Sequence, residues 1–203
     1  MYTIIEDCSP YYVRFTHPGI DQVIAKCTEY TKDVDFAKCP TQCPGFTHYK
    51  HPENEAKTLL SIIPMSKQME LNAMRVSSFV TQPGVYYRAH KDGLNCRLSI
   101  NYTVKILDSA CVTSWYSDDD LKNYSIDNLA NKTSRECMGF DPARHTPIKS
   151  MTAQQGECIL FNTDIFHDFD NSRASHERIV LTLRLMKAGD IYFSDVKKIL
   201  FGI

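Results

Sequence analysis

The 203-residue sequence predicts a mainly β architecture, a sandwich or barrel with N-terminal helices packed on one outer face. Two observations carry this. From about residue 72 the chain breaks into short runs rich in β-branched and aromatic residues, separated by turn-forming residues. Helical spacing of apolar residues, by contrast, is confined to the first seventy positions.

The elements follow in order. "GIDQVIAKCTEYTKDV" sets Ile20, Val23, Ile24 and Cys27 at helical spacing, which predicts a helix over about 19–31. "KCPTQCPGF" breaks it with two prolines and a glycine. "ENEAKTLLSIIPMSKQMELNAM" is a second helical segment, interrupted at Pro64. "AMRVSSFV" is a strand and "QPG" (82–84) a turn. "VYYRAHKDG", "NCRLSINYTVKIL" and "ACVTSWYS" are further strands. The polar, aperiodic stretch 118–150 is an insertion or long loop, expected to close over a pocket and shape substrate choice. "GECILFNTDIFHDFDNS" gives a strand, a turn and a short strand, and "ERIVLTLRLMKAG" a last strand. The expectation is a single domain over 1–203 with its β core at about 73–187.

Composition narrows the function. A formal net charge of -1 gives no bulk attraction to nucleic acid or to a membrane surface. The N-terminus lacks a basic segment ahead of an apolar run, so no signal peptide is expected. No apolar run is long enough to span a bilayer. The eight cysteines are then expected to be mostly reduced thiols of a cytoplasmic protein.

The stretch "YYRAHKDGLNCRLSINYTV" departs from a plain core strand. Leu98, Ile100 and Tyr102 take one side, while Arg97, Ser99, Asn101 and Thr103 take the other. A polar side of that kind faces water or lines a polar cavity. His90 and Asp92 stand two apart at its start, His167 lies downstream, and Arg178 follows eleven residues later. Two imidazoles and a carboxylate suit Fe(II), occupying one face of an octahedron and leaving three positions open. The planar fork of an arginine on a neighbouring strand can grip a carboxylate with two parallel hydrogen bonds. The implied co-substrate is a dicarboxylate, one end on the metal and the other on Arg178.

This order of His90-Lys91-Asp92, His167 and Arg178 resembles the iron(II)/2-oxoglutarate-dependent oxygenases, over roughly residues 73–187. "GECILFNTDIFHDFDN" resembles their lead-in to the distal histidine. The resemblance implies a double-stranded β-helix (jelly-roll, cupin-like) core and Fe(II) held by His90, Asp92 and His167. It implies 2-oxoglutarate as co-substrate, with hydroxylation of an amino-acid, peptide, protein side-chain or small-molecule C–H bond and release of succinate and CO2. "HKDGLNCRLSIN" is similar to the aspartyl/asparaginyl β-hydroxylases, which implies that Ser99 and Asn101 help to bind 2-oxoglutarate; that branch has glycine where this chain has Asp92. "RIVLTLR" carries two arginines six apart, as in the AlkB-like nucleic-acid demethylases, so Arg184 is a further candidate. Val180 stands where many members have serine, which leaves Thr182 to supply a hydroxyl. An AlkB-like demethylase and a non-catalytic jelly-roll metal-binding or sensor protein are the competing readings.

Two smaller features complete the set. Cys39, Cys43, His48 and His51 are four zinc-capable ligands within thirteen residues. Their spacing is not that of a common finger, and the plain reading is a Pro/Gly loop with incidental thiols. Among the aromatic residues, Tyr86 or Tyr87, beside the metal strand, is the better candidate for a pocket wall.

Overall fold

A computed structural model describes residues 2–64, 75–92, 97–107, 109–121, 126–128, 135–137, 139–185 and 192–203. The chain begins with a β-hairpin, β1 (Thr3–Cys8) and β2 (Tyr12–Thr16), followed by α1 (Ile20–Thr31), β3 (Thr41–Cys43), β4 (Phe46–Lys50) and α2 (Glu53–Ile62). Then come β5 (Arg75–Thr81), β6 (Val85–Lys91), β7 (Leu98–Lys105), β8 (Val112–Trp115) and the single turn α3 (Asp118–Leu121). The remainder is β9 (Ile126–Asn128), β10 (Arg135–Cys137), β11 (Lys149–Met151), β12 (Cys158–Asn162), β13 (His167–Asn171), β14 (Arg178–Arg184) and α4 (Phe193–Phe201). The 65–74 part of the second helical segment and the Asn95–Cys96 part of "NCRL" lie outside the described residues.

The strands form two antiparallel sheets. One has the order β1-β2-β12-β7-β14-β5-β4-β3 and the other β11-β8-β13-β6-β10-β9. The mainly β expectation holds, and the helices cover one face as expected. The hairpin β1–β2 is an addition to it: β2 pairs with β12 and extends the larger sheet. α4, too, lies beyond the elements read from the sequence.

Strand alternation decides which face is which. Leu98, Ile100 and Tyr102 of β7 pack with Cys158 and Leu160 of β12 and Leu181 and Leu183 of β14. Against them lie Val23 and Cys27 of α1, Leu59 of α2, and Val196 and Leu200 of α4. Each helix contributes one buried stripe, the reason short helices of modest length hold on this sheet. The opposite side chains of the same strands, Ser99, Asn101 and Thr182, line a cavity instead. The polar side of β7 is therefore an interior wall.

A buried polar chain ties the helices to the sheet. His51 Nδ1 lies 2.9 Å from Glu55 Oε2, His51 Nε2 lies 2.7 Å from Ser78 Oγ, and Ser78 Oγ lies 3.3 Å from Cys27 Sγ. Ser78 and Cys27 are completely enclosed, so this order of groups is a strut between α1, α2 and β5. It also corrects the zinc possibility. His51 is committed to this chain, the His48 ring bonds Gln42 and stacks on Phe79, and Cys39 Sγ donates to the Asp35 carbonyl. Among the described residues these four side chains make no common site. None of the described cysteines is joined in a disulfide.

The turn before β4 depends on Gly45. Its φ is +80°, and a Cβ there would stand 2.6 Å from Val85 Cγ2. Only glycine meets both conditions, and the turn directs Phe46 and His48 into the cavity.

Burial holds the imidazoles of His17 and His51 below their ordinary value, the latter against the opposing pull of Glu55. Unfolded, both bind protons near pH 6.5. The unfolded state then carries more protons than the native state just below that pH, and stability falls as pH falls. The expected loss is at most about 1.4 kcal/mol per pH unit for each histidine. Urea midpoints at pH 7.5 and 5.5 check this: the lower pH should give the lower midpoint, and a flat profile would contradict it.

Candidate metal centre

β6 and β13 pair at the middle of the smaller sheet, with His90 opposite His167 and Tyr87 opposite Phe169. From one pair to the next β13 advances by two residues and β6 by three, so β6 carries one extra residue, a bulge at Arg88–Ala89. Strict alternation from Tyr87 would turn His90 away, whereas the bulge lets both face the cavity. The rings of His90 and His167 stand 4.3 Å apart between centroids. Asp92 follows the strand, its N–H donating to the Thr163 carbonyl at 3.1 Å, and its Oδ1 lies 3.7 Å from His90 Nε2. One ligand atom from each of His90, Asp92 and His167 lies within 4.8 Å of the others. Among the described residues no other set of three His, Cys, Asp or Glu side chains does so.

The tautomers are fixed by the backbone. His90 Nδ1 donates to the Arg88 carbonyl and His167 Nδ1 to the Ile165 carbonyl, each at 2.9 Å. A carbonyl can only accept, so each ring keeps its Nε2 lone pair for a ligand role. Burial first, and then the neighbouring His90, push His167 down to about 3, so its ring is neutral. Behind it, Asp168 accepts from Tyr86 OH at 2.9 Å, Tyr116 OH at 2.7 Å and the Ser114 N–H at 3.2 Å. That carboxylate locks β13 to its neighbours on both sides.

Arg178 opens β14, opposite Thr81 of β5. Only 7% of it is exposed. Its guanidinium lies 4.4 Å from the Phe169 ring centroid, and Nη1 reaches Cys111 Sγ at 3.5 Å. Its Nε is buried without a partner, and no carboxylate pairs with it among the described residues. Burial lowers its pKa, the mark of a charge removed from water without compensation. Arg184, at the far end of the strand, turns to the metal side: Nη2 lies 3.9 Å from Asp92 Oδ2. Ser99 stands opposite Arg184 and Asn101 opposite Thr182. Asn101 Oδ1 is also buried without a partner. The cavity has a volume of about 280 Å³, and all five of these residues line it with the two histidines and Asp92.

Of the aromatic candidates, Tyr87 lines the cavity and Tyr86 is used by Asp168. The sequence reading passed over Phe46 and His48 of β4, Arg75 and Phe79 of β5, and Phe169 of β13, which line it too. The period-two pairs Phe46/His48 and Arg75/Ser77/Phe79 are the signal that could have found them. Parts of the stretch 118–150 lie outside the described residues. Its Leu121, Cys137 and Phe140 pack with Ala89, Tyr116 and Phe166, and none of its described residues lines the cavity.

No family model matches the chain, and no curated protein sequence does. Solved structures do resemble it. The epimerase SnoN, in complex with Fe3+, alpha-ketoglutarate and nogalamycin RO, aligns with a TM-score of 0.59 at 12% identity, over 87% of this chain and 79% of that one. A Pseudomonas putida prolyl-4-hydroxylase aligns at 0.53 and 14% identity, over 89% and 95%. HygX from Streptomyces hygroscopicus, with nickel, 2-oxoglutarate and hygromycin B bound, aligns at 0.57 and 8% identity, over 85% and 81%. The chain has the double-stranded β-helix fold. In this fold the His90–Asp92–His167 cluster sits on the smaller sheet, and the arginine-bearing strand β14 crosses the larger one.

Proposed function

We propose that this protein is an Fe(II)- and 2-oxoglutarate-dependent oxygenase that hydroxylates a C–H bond of a small molecule or of an amino-acid, peptide or protein side chain. The observation that carries the reading is Arg178. A guanidinium enclosed in a cavity, with no acidic partner among the described residues, is several kcal/mol short of compensation until an anion joins it. A co-substrate carboxylate supplies that anion at a site flanked by a two-histidine, one-carboxylate cluster.

His90, Asp92 and His167 would hold the metal, through Nε2 lone pairs that the backbone leaves free. Fe(II) there would supply oxygen activation coupled to oxidative decarboxylation of 2-oxoglutarate to succinate and CO2. The chain's own part is positional. Arg178 fixes the distal carboxylate, the Asn101 amide and the Ser99 and Thr182 hydroxyls bond oxygens on the same ligand, and Tyr87, Phe161 and Phe169 form the aromatic part of the wall. SnoN, the prolyl-4-hydroxylase and HygX support the reading, since SnoN and HygX were crystallised with a metal and this same keto acid. A small-molecule or proline-containing substrate is the class they suggest. The neutral overall charge speaks against the demethylase alternative.

Titration of 2-oxoglutarate into the anaerobic Fe(II) protein tests this through the metal-to-ligand absorption, and succinate release in air tests turnover. Both should be positive. Fe(II) uptake with neither signal would leave a metal-binding protein without oxygenase activity.

A further inference from the structure

Arg178 belongs to the larger sheet, but side chains from the side of the smaller sheet hold its head. The guanidinium lies over the Phe169 ring of β13, and Nη1 donates to Cys111 Sγ at 3.5 Å. Cys111 stands immediately before β8, whose Thr113 is paired with Phe169. The spacing of two puts the thiol on the face of Thr113, which lines the cavity. The contact therefore bridges the two sheets at the end of the cavity where β14 begins. Both of its members are buried.

The chemistry of this partner matters for what it does not do. A buried guanidinium is ordinarily matched by a carboxylate, through charge-assisted hydrogen bonds to both oxygens. A thiol sulfur is a weak, neutral acceptor. It orients one N–H without cancelling the cation, and Nε of the same guanidinium stays buried without a partner. The arginine is thereby aimed but not neutralised. An acid in place of Cys111 would close the fork from inside the protein. An apolar residue there would remove the sulfur as an acceptor and leave the stacking on Phe169.

We propose that Cys111 is a positioning residue for the co-substrate: its sulfur orients the Arg178 guanidinium and leaves its charge unmatched until a ligand carboxylate arrives. This deepens the oxygenase reading and rests on it for the identity of that carboxylate. The contact itself, and the uncompensated charge beside it, do not depend on that reading.

Four variants test it by titration of 2-oxoglutarate into the anaerobic Fe(II) protein. Cys111→Val keeps the volume and removes the acceptor, and should lower the affinity about three- to tenfold, the range for one hydrogen bond. Cys111→Ser restores an acceptor and should recover most of that loss; a role in packing alone gives the reverse order. Cys111→Asp and Cys111→Asn differ in charge and hardly in shape. The acid should bind 2-oxoglutarate at least about 100-fold more weakly than the amide, because its carboxylate takes the fork. Iron affinity, read by competition with a chelator, should be the same in all of these proteins. A valine variant that binds like wild type, a serine variant no better than valine, or an aspartate variant that binds as well as asparagine overturns the proposal. If wild-type protein takes up no 2-oxoglutarate, the oxygenase reading fails by itself, and urea midpoints of the unliganded proteins decide the contact. Cys111→Asp should then unfold at a higher midpoint than Cys111→Asn, since it compensates the buried cation. An equal or lower midpoint overturns the proposal.

Discussion

Replacing His167 with alanine should reduce Fe(II) affinity by more than about 100-fold and abolish succinate release, with the protein still folded. The size follows from the geometry. His167 is one of three described side chains that come within ligand distance of one another, and no other described His, Cys, Asp or Glu joins them. Its contribution to folding is smaller, because its one hydrogen bond, from Nδ1 to the Ile165 carbonyl, is worth about 1 kcal/mol. The apolar core that holds the larger sheet lies on the far side of that sheet, under the helices. Competition against a coloured chelator measures the metal, and circular dichroism the fold. His90→Ala should behave alike. A variant that retains wild-type affinity would remove the cluster from consideration.

Arg178→Ala should weaken 2-oxoglutarate binding by roughly 30- to 5,000-fold, the equivalent of about 2–5 kcal/mol for a desolvated charge pair broken from one side. Arg178→Lys should fall between the two, since lysine keeps the charge and loses the fork. Iron affinity should barely change, because Arg178 lies with Phe169 and Cys111 rather than among the ligands. A second readout has the opposite sign. Wild-type protein without co-substrate buries an uncompensated cation, so the unliganded alanine variant should be no less stable than wild type. If Arg178→Ala binds normally while Arg184→Ala does not, the two arginines exchange roles; if both bind normally, 2-oxoglutarate is not the co-substrate.

What could be read in the sequence was what depends on period and spacing. β7 and β14 alternate in sequence, and their two faces follow from parity alone. His90 on β6, Asp92 just after it, His167 at the start of β13 and Arg178 at the start of β14 stand at spacings that a metal and a dicarboxylate explain. The bulge in β6 was not readable. Nothing in "VYYRAH" announces an extra residue, yet it sets Tyr87 and His90 on one face. β1 was missed because it is an edge strand with polar and half-buried residues, and its pairing with β2 is a tertiary fact. The docking of the described part of 118–150 was not readable for a different reason. Polarity marked it as surface, but the three apolar residues that dock it on the smaller sheet are scattered too widely to form a period.

The two carbonyl-anchored imidazoles have a consequence for which ion the protein carries. Because Arg88 and Ile165 hold the rings before any ion arrives, coordination demands no rearrangement of the chain, and exchange should be as fast as ions can enter and leave the cavity. A seat prepared in this way has little means of refusing a competitor. Intrinsic affinity for such nitrogen and oxygen donors rises from manganese through iron to nickel and copper, whichever protein offers them. The occupant would then be decided by the supply of ions around the protein, and material purified from different media should differ in metal content while sharing one backbone.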